Sequence, residues 1–147
     1  MLKLDVGLRF PGTCEQAFRF YQSVFGGELT MLQRFKEMRE HGYEVAPEDE
    51  EKIAFVMLPV NEQFLLAGDD VLPSAGGCVP GSNILLGAGV DSRSEVDRLY
   101  AALSEGGTEK TAPAYYYWGD YFGSFRDRFG VWWNVSCHDP QEEPPSS

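Results

Sequence analysis

One pattern of segments occurs twice in this chain, and it constrains the fold more than any other feature of the sequence. In its first copy, residues 2–10 alternate apolar and polar side chains, which predicts a strand with one buried face. Residues 13–16 have the form of a helix capping box that begins at Thr13, and apolar residues follow at helical spacing over residues 17–24. Gly26-Gly27 then ends the predicted helix, since the residue after a helix often takes a left-handed conformation that suits glycine.

The second copy begins about 80 residues later and has the same order. Residues 83–90 form an apolar run that predicts a strand, and a capping box follows at Ser92. Apolar residues at helical spacing over residues 96–103 predict an amphipathic helix, which Gly106-Gly107 ends. Each copy is therefore one supersecondary unit of similar construction.

Strand-like segments follow each glycine pair, so that both copies have the order βαβββ. These segments are residues 28–35, 52–60 and 63–68 in the first copy and residues 109–112, 121–126 and 131–137 in the second. The fold class predicted from this order is α+β, built from two βαβββ modules.

The domain organisation follows from where the repeat is interrupted. We expect a single domain over residues 1–138, with module one at residues 1–70 and module two at residues 83–138. The proline- and glycine-rich residues 71–82 have the composition of a linker. The polar, proline-rich residues 139–147 are expected to form a flexible tail.

Composition excludes several classes of function. The chain has 12 Lys and Arg against 23 Asp and Glu, a net charge of −11, which opposes binding to nucleic acid or to an anionic membrane. The sequence lacks an apolar run long enough to cross a bilayer and a secretion signal, so a cytoplasmic location is expected. Three widely spaced cysteines fit a reducing compartment. The acidic residues 37–51 are interpreted as a solvated loop.

Both ends of the chain resemble a known family. Residues 10–28, with Phe20-Tyr21 and Gly26-Gly27, resemble the opening of the PhnB-like branch of the glyoxalase/bleomycin resistance protein/dioxygenase (vicinal oxygen chelate) superfamily. Residues 119–134 resemble the ending of that branch, with Arg128 where proline is usual. The resemblance implies that the two modules curl into a mixed-sheet cup with the helices outside, commonly in a homodimer, with ligand chemistry inside the cup.

In metal-dependent members of this superfamily, the first strand and a later strand of each module each supply one ligand. The resemblance places these positions at Asp5, Phe55, Leu86 and Asn134. A transition metal usually requires three or more anionic or imidazole donors, whereas this set contains one carboxylate and one amide. We therefore expect no metal site and predict no cofactor; nothing in the sequence resembles a loop for S-adenosylmethionine.

A small-molecule site is the alternative use of the cup. Alternation in the first strand places Asp5 and Arg9 inward, and alternation in the last strand places Trp132 and Asn134 on one face. With Phe55, these residues would form an apolar pocket that carries a few polar groups. The competing interpretation is that Asp5 and Arg9 pair with each other or with other residues of the cup.

The aromatic residues 115–118 form the second candidate region. Tyr116 and Trp118 could stack on a planar or cationic ligand at the rim of the cup. The same residues could equally form a dimer interface, where tyrosine and tryptophan are enriched.

Three functions remain open at this point. The leading hypothesis is a metal-free protein that binds a small organic molecule in the cup. The second is sequestration of a bulky cationic ligand, as in bleomycin resistance. The third is an enzyme, either a lyase, isomerase or dioxygenase with an unconventional metal site or a metal-free enzyme that uses Asp5 as a base.

Overall fold

A computed structural model describes residue 2 and residues 4–138 of the chain. The predicted tail at residues 139–147 lies outside the described residues. The described residues fall into two compact units, and the division between Val79 and Pro80 lies within the segment predicted as a linker. No helix in the described part of the chain is both long and apolar enough to cross a membrane.

The first unit contains one four-stranded sheet and one α-helix. Its elements are β1 (Val6–Phe10), α1 (Cys14–Phe25), β2 (Thr30–Arg34), β3 (Ile53–Pro59) and β4 (Leu65–Asp70), with 3-10 segments at Phe35–His41, Pro47–Asp49 and Pro73–Ala75. The strand order is β1-β4-β3-β2. β1 runs parallel to β4, and the other pairs are antiparallel.

The second unit repeats this arrangement. Its elements are β5 (Leu85–Gly89), α2 (Arg93–Ser104), β6 (Thr108–Tyr115), β7 (Asp120–Arg126) and β8 (Trp132–His138). The strand order β5-β8-β7-β6 matches that of the first unit, again with the first strand parallel to the last. The repeated βαβββ order predicted from the sequence is therefore confirmed. β8 extends one residue beyond its predicted end, to His138, whose Nδ1 lies 3.1 Å from Oδ1 of Asp120.

Alternation along the strands separates a helix-facing side from an opposite side in each sheet. In the first unit, the apolar side of α1 is buried against Val56, Leu58 and Leu66. Gly68 lies on the same side, where a Cβ atom would collide with the ring of Phe18, so glycine is needed for helix and sheet to meet. In the second unit, α2 covers Phe125, Trp133 and Val135, which are all buried. The face of each sheet opposite its helix is called here the α1-distal face and the α2-distal face.

The beginning of α1 differs from the prediction. Thr13 occupies the N-cap position, but its side chain makes no capping hydrogen bond. Oδ1 of Asp70 instead accepts hydrogen bonds from the backbone N–H groups of Gly12 at 3.0 Å and Cys14 at 2.9 Å. The predicted side-chain cap at Thr13 is therefore absent, and a carboxylate 56 residues from Cys14 binds the first N–H of the helix. In α2 the cap is local as expected, since Oγ of Ser92 accepts from the N–H of Glu95 at 3.2 Å.

The acidic residues 37–51 are more ordered than a solvated loop. They contain two 3-10 segments, and their carboxylates pair with neighbouring cations, including Glu50 with Arg39 at 2.9 Å and Glu51 with Lys36 at 2.8 Å. Asp49 is only 8% exposed and pairs with Lys52 at 2.8 Å. Part of the acidic charge is therefore used in ion pairs within residues 36–52.

Candidate functional site

The α1-distal face of the first unit carries an ion pair between neighbouring strands. Arg9 of β1 lies opposite Asp69 of β4 in the parallel ladder. Nε of Arg9 donates to Oδ1 of Asp69 and Nη2 donates to Oδ2, both at 3.0 Å. The hydrogen bonds from this guanidinium, together with the negative charge of Asp69, raise the pKa of Arg9. Arg9 therefore pairs with another residue of the sheet, and its partner is Asp69 instead of Asp5.

A pocket of about 310 Å³ opens beside this ion pair. Its sides come from the sheet and from the 3-10 segments that begin at Phe35 and Pro73. The apolar part of the lining consists of Phe35, Met38, Ala54, Val71, Leu72 and Ala75. The polar part consists of Arg9, Gln33, Asp69 and Asp70. The pocket thus combines an apolar body with a few polar groups, which is the usual composition of a small-molecule site.

The other two residues predicted for this region do not line the pocket. Asp5 precedes β1 and is exposed, and its carboxylate has no hydrogen bond or ion pair within the described residues. Phe55 lies in β3 at a register shift between the pairs Gln33–Phe55 and Arg34–Ile53, and it is 36% exposed. The irregularity allows the adjacent Ala54 to reach the pocket in its place.

The side chains on the strands do not fit the metal implied by the family resemblance. Leu86 pairs with the buried Trp133, so it points toward α2, and its neighbour Gly87 is the residue opposite Asn134. In the first unit, the strand that corresponds to β8 is β4, because each pairs in parallel with the first strand of its unit. Phe55 lies in β3, so it is not on the strand that corresponds to β8.

Of the four positions that the resemblance implies, Asp5 supplies one carboxylate and Asn134 one amide, whereas Phe55 and Leu86 supply no donor. No cluster of three or more His, Cys, Asp or Glu side chains suited to a metal occurs among residues 2 and 4–138. Transition metals in proteins are held by several anionic or imidazole ligands. The side chains at these four positions therefore do not fit a glyoxalase-type metal centre.

In the second unit, an aromatic cluster forms at the turn between β6 and β7. The rings of Tyr116 and Trp118 are stacked, with centroids 4.6 Å apart and an interplanar angle of 19°. Phe122 meets both rings edge-on, at 5.7 Å from Tyr116 and 6.1 Å from Trp118. Backbone hydrogen bonds close the turn, from Tyr116 to Asp120 at 2.8 Å and from Gly119 to Tyr116 at 3.0 Å. Trp118 is 48% exposed, so one side of the cluster is accessible.

The α2-distal face also contains Trp132 and Asn134, as the alternation of β8 predicts. Nε1 of Trp132 donates to the carbonyl of Gly81 at 3.0 Å, and the guanidinium of Arg126 lies 5.6 Å from the Trp132 ring centre. Asn134 extends over Gly87, where a Cβ atom would lie 2.9 Å from its Oδ1. Phe122 of the aromatic cluster pairs with Ser136 of β8 on this same face. The aromatic cluster, Asn134 and Trp132 therefore share one face of the sheet.

Sequence reasoning missed most of the polar groups of the pocket. Asp69 and Gln33 were not selected, although Asp69 belongs to an adjacent acidic pair, Asp69-Asp70, at the end of an apolar strand. Alternation alone places those two carboxylates on opposite faces of β4. Knowing that β1 pairs in parallel with β4 is what brings Asp69 opposite Arg9.

Comparisons with known proteins agree with this architecture. Residues 4–135 match the model of the Glyoxalase/Bleomycin resistance protein/Dioxygenase superfamily. Protein YjdN from Escherichia coli is 27% identical over 143 residues, covering 92% of this chain and 95% of YjdN.

Two solved structures extend the comparison. The crystal structure of protein PA1353 from Pseudomonas aeruginosa has a TM-score of 0.77 and 31% identity, covering 94% of this chain and 98% of PA1353. The PhnB protein from Bacillus cereus, described as a putative 3-demethylubiquinone-9 3-methyltransferase, has a TM-score of 0.71 and 21% identity, covering 92% of this chain and 99% of that protein. With the repeated βαβββ units, these matches show that the chain belongs to the glyoxalase/bleomycin resistance protein/dioxygenase superfamily.

Proposed function

We propose that this protein binds a small organic molecule in the pocket on the α1-distal face, without a transition metal. The observation that carries the proposal is the pocket of about 310 Å³ whose apolar lining lies beside the Arg9–Asp69 ion pair. Its volume is at the lower end of the range that ligand sites occupy, roughly 300–1,000 Å³. An ion pair beside an apolar recess can orient a ligand that the apolar residues bind.

The chemistry of the strand positions supports independence from a metal. Of the four strand positions that the resemblance implies, Phe55 and Leu86 offer no metal donor, and Asp5 and Asn134 offer one carboxylate and one amide. Within the described residues, the carboxylate of Asp5 has no hydrogen bond or ion pair that would fix it as a general base. An enzymatic role for Asp5 therefore has no support from its surroundings.

The proposal is tested by measuring metal content and ligand binding on the same sample. Elemental analysis of purified protein should give well under one equivalent of zinc, nickel, manganese or iron. In two-dimensional NMR spectra, millimolar monocyclic aromatic fragments should shift the backbone amides of Gln33 and Ala54. Ala54→Trp should fill the pocket and abolish these shifts.

A matched control places the same side chain elsewhere. Ala101 is exposed on α2, so Ala101→Trp should leave fragment binding unchanged. Stoichiometric metal whose removal abolishes binding, or fragments that bind equally well to the Ala54→Trp variant, would show that the proposal is wrong.

Sequestration of a planar cationic ligand is the second candidate function. It is favoured by the accessible stack of Tyr116 and Trp118 and by the net charge of −11. A cationic glycopeptide should quench tryptophan fluorescence, with an affinity that falls as salt is added. Trp118→Ala should remove the quenching, and Tyr43→Ala, which removes an exposed aromatic residue from the first unit, should not.

A homodimer remains a prediction from the family resemblance. Sedimentation or light scattering at micromolar concentration would detect it as a particle of twice the 16.4 kDa chain mass.

A further inference from the structure

The polar groups of the pocket leave specific hydrogen-bonding sites open. Asp69 accepts hydrogen bonds from Nε and Nη2 of Arg9. The remaining nitrogen, Nη1, has no hydrogen-bond partner in the described part of the chain. Each oxygen of Asp69 accepts one of these bonds and retains a second lone pair. The side-chain amide of Gln33 makes no hydrogen bond to any of the described residues, and it can both donate and accept.

The Arg9–Asp69 pair has no net charge. The third ionisable residue of the lining, Asp70, is 3% exposed, and its carboxylate is occupied by the backbone N–H groups of Gly12, Cys14 and Ile53. A carboxylate ligand near Nη1 would also approach the carboxylate of Asp69, and an ammonium or amidinium ligand near Asp69 would approach Arg9. Either charged ligand would lose hydrating water when it binds. Its attraction to the oppositely charged member of the pair would be largely cancelled by repulsion from the other member. Water reduces this effect because the side chains of Arg9 and Asp69 are 63% and 29% exposed, so the discrimination should be moderate.

A neutral group with an acceptor and a donor side by side does not meet this conflict. Its carbonyl oxygen can accept from Nη1 of Arg9 while its N–H donates to a free lone pair of Asp69. The apolar part of such a ligand would lie against residues such as Phe35, Met38 and Leu72. Gln33 adds a further donor and acceptor of the same neutral type.

Building on the proposed function, we propose that the pocket prefers uncharged carboxamide or lactam ligands with an apolar body, held by adjacent bonds to Arg9 and Asp69. The Arg9–Asp69 pair is then a recognition element as well as a link between β1 and β4. The preference depends on the balance of the two charges, so removing either charge should change which ligand is favoured.

A panel of probes of nearly the same shape tests this preference. Benzamide is neutral with a donor and an acceptor, benzoate is an anion, benzamidine is a cation, and ethylbenzene is apolar. Titrations followed at the amides of Gln33 and Ala54 should give benzamide the highest affinity. Benzoate and benzamidine should each bind about tenfold more weakly, and ethylbenzene should also bind more weakly than benzamide.

Two variants should redirect the preference. Asp69→Asn leaves Arg9 without the carboxylate that balances it at the proposed binding groups, so benzoate should gain affinity and overtake benzamide. Arg9→Gln leaves Asp69 without its balancing guanidinium, so benzamidine should become the preferred probe. Arg98→Gln is the matched control, because Arg98 also forms two hydrogen bonds with one carboxylate, that of Glu95 on α2, and this change should leave the order of probes as in the unmodified protein.

The outcomes separate this inference from the function on which it depends. If no probe, ethylbenzene included, shifts the pocket amides, the proposed small-molecule site is wrong. If the probes bind but benzoate, benzamidine or ethylbenzene equals benzamide in the unmodified protein, the pocket remains and the preference for amides is overturned. The preference is also overturned if Asp69→Asn and Arg9→Gln leave the order of affinities unchanged.

Discussion

Replacement of Asp70 by alanine should destabilise the first unit more than any exposed substitution nearby. Asp70 is 3% exposed, and its carboxylate accepts three backbone hydrogen bonds: from Gly12 and Cys14 at the beginning of α1, and from Ile53 at the beginning of β3 at 2.8 Å. One side chain thus joins the end of β4 to the first residues of two other elements. Among residues 2 and 4–138, no other side chain accepts from these N–H groups.

The magnitude follows from the donors that the alanine variant leaves without partners. The bonds to Cys14 and Ile53 are buried, and the bond to Gly12 is partly buried. A buried N–H that loses its partner costs about 1–3 kcal/mol, and a lost helix cap costs about 0.5–2 kcal/mol. Because water can reach the N–H of Gly12, we expect a total loss of about 3–5 kcal/mol in the free energy of unfolding.

Urea unfolding followed by far-ultraviolet circular dichroism measures this loss. Tryptophan fluorescence is less suitable, since the three tryptophans, Trp118, Trp132 and Trp133, all lie in the second unit. Asp69→Ala is the matched control, because it removes the adjacent carboxylate, which makes only an exposed ion pair, and should cost less than about 1 kcal/mol. A loss below about 1 kcal/mol for Asp70→Ala, or a loss equal to that of Asp69→Ala, would refute the reasoning.

Three further predictions concern strain, thiol reactivity and pH. Met31 is 66% exposed and has a φ of +53°, so Met31→Gly should raise the free energy of unfolding by about 0.5–1 kcal/mol in urea titrations. Burial raises the pKa of the Cys14 thiol. An aromatic disulfide reagent at pH 8 should therefore modify the partly exposed Cys78 quickly and Cys14 only after unfolding. Rapid labelling of Cys14 in the folded protein would contradict this. The hydrogen bonds from Arg34 lower the pKa of Glu15, so ionised Glu15 stabilises the fold at neutral pH, and this contribution is lost as the pH falls through that lowered value. Glu15→Gln should therefore cost less than about 1 kcal/mol at pH 7 and lose less stability than the unmodified protein between about pH 5 and pH 3.

The features that sequence reasoning predicted well are governed by local rules. The alternation of β8 placed Trp132 and Asn134 opposite Trp133, because successive side chains of a strand point to opposite faces. Gly26 and Gly27 end α1 with φ values of +80°, as the need for a left-handed backbone predicts. Both predictions depend only on residues that are neighbours in the sequence. Local reasoning of the same kind predicted the repeated βαβββ order.

The features that it missed depend on contacts between distant segments. Thr13 was predicted to cap α1 because its local motif was suitable, yet its side chain makes no capping bond and Asp70 of β4 binds the N–H of Cys14. Leu86 was placed on the wrong side of β5, because its orientation depends on pairing with Trp133 of β8. The pocket itself requires 3-10 segments to lie beside the sheet, and neither periodicity nor composition predicts that arrangement.

The alternation of β4 has a consequence for how this protein can change over evolutionary time. Leu66, Gly68 and Asp70 are buried, whereas residues 65, 67 and 69 are partly exposed. Of the partly exposed positions, Asp69 lines the pocket, so its substitution can alter what the protein recognises while Leu66 and Gly68 keep the helix and sheet joined. A single strand thus carries a position that can diversify beside positions that the fold requires, which makes residue 69 a natural position for a directed-evolution library.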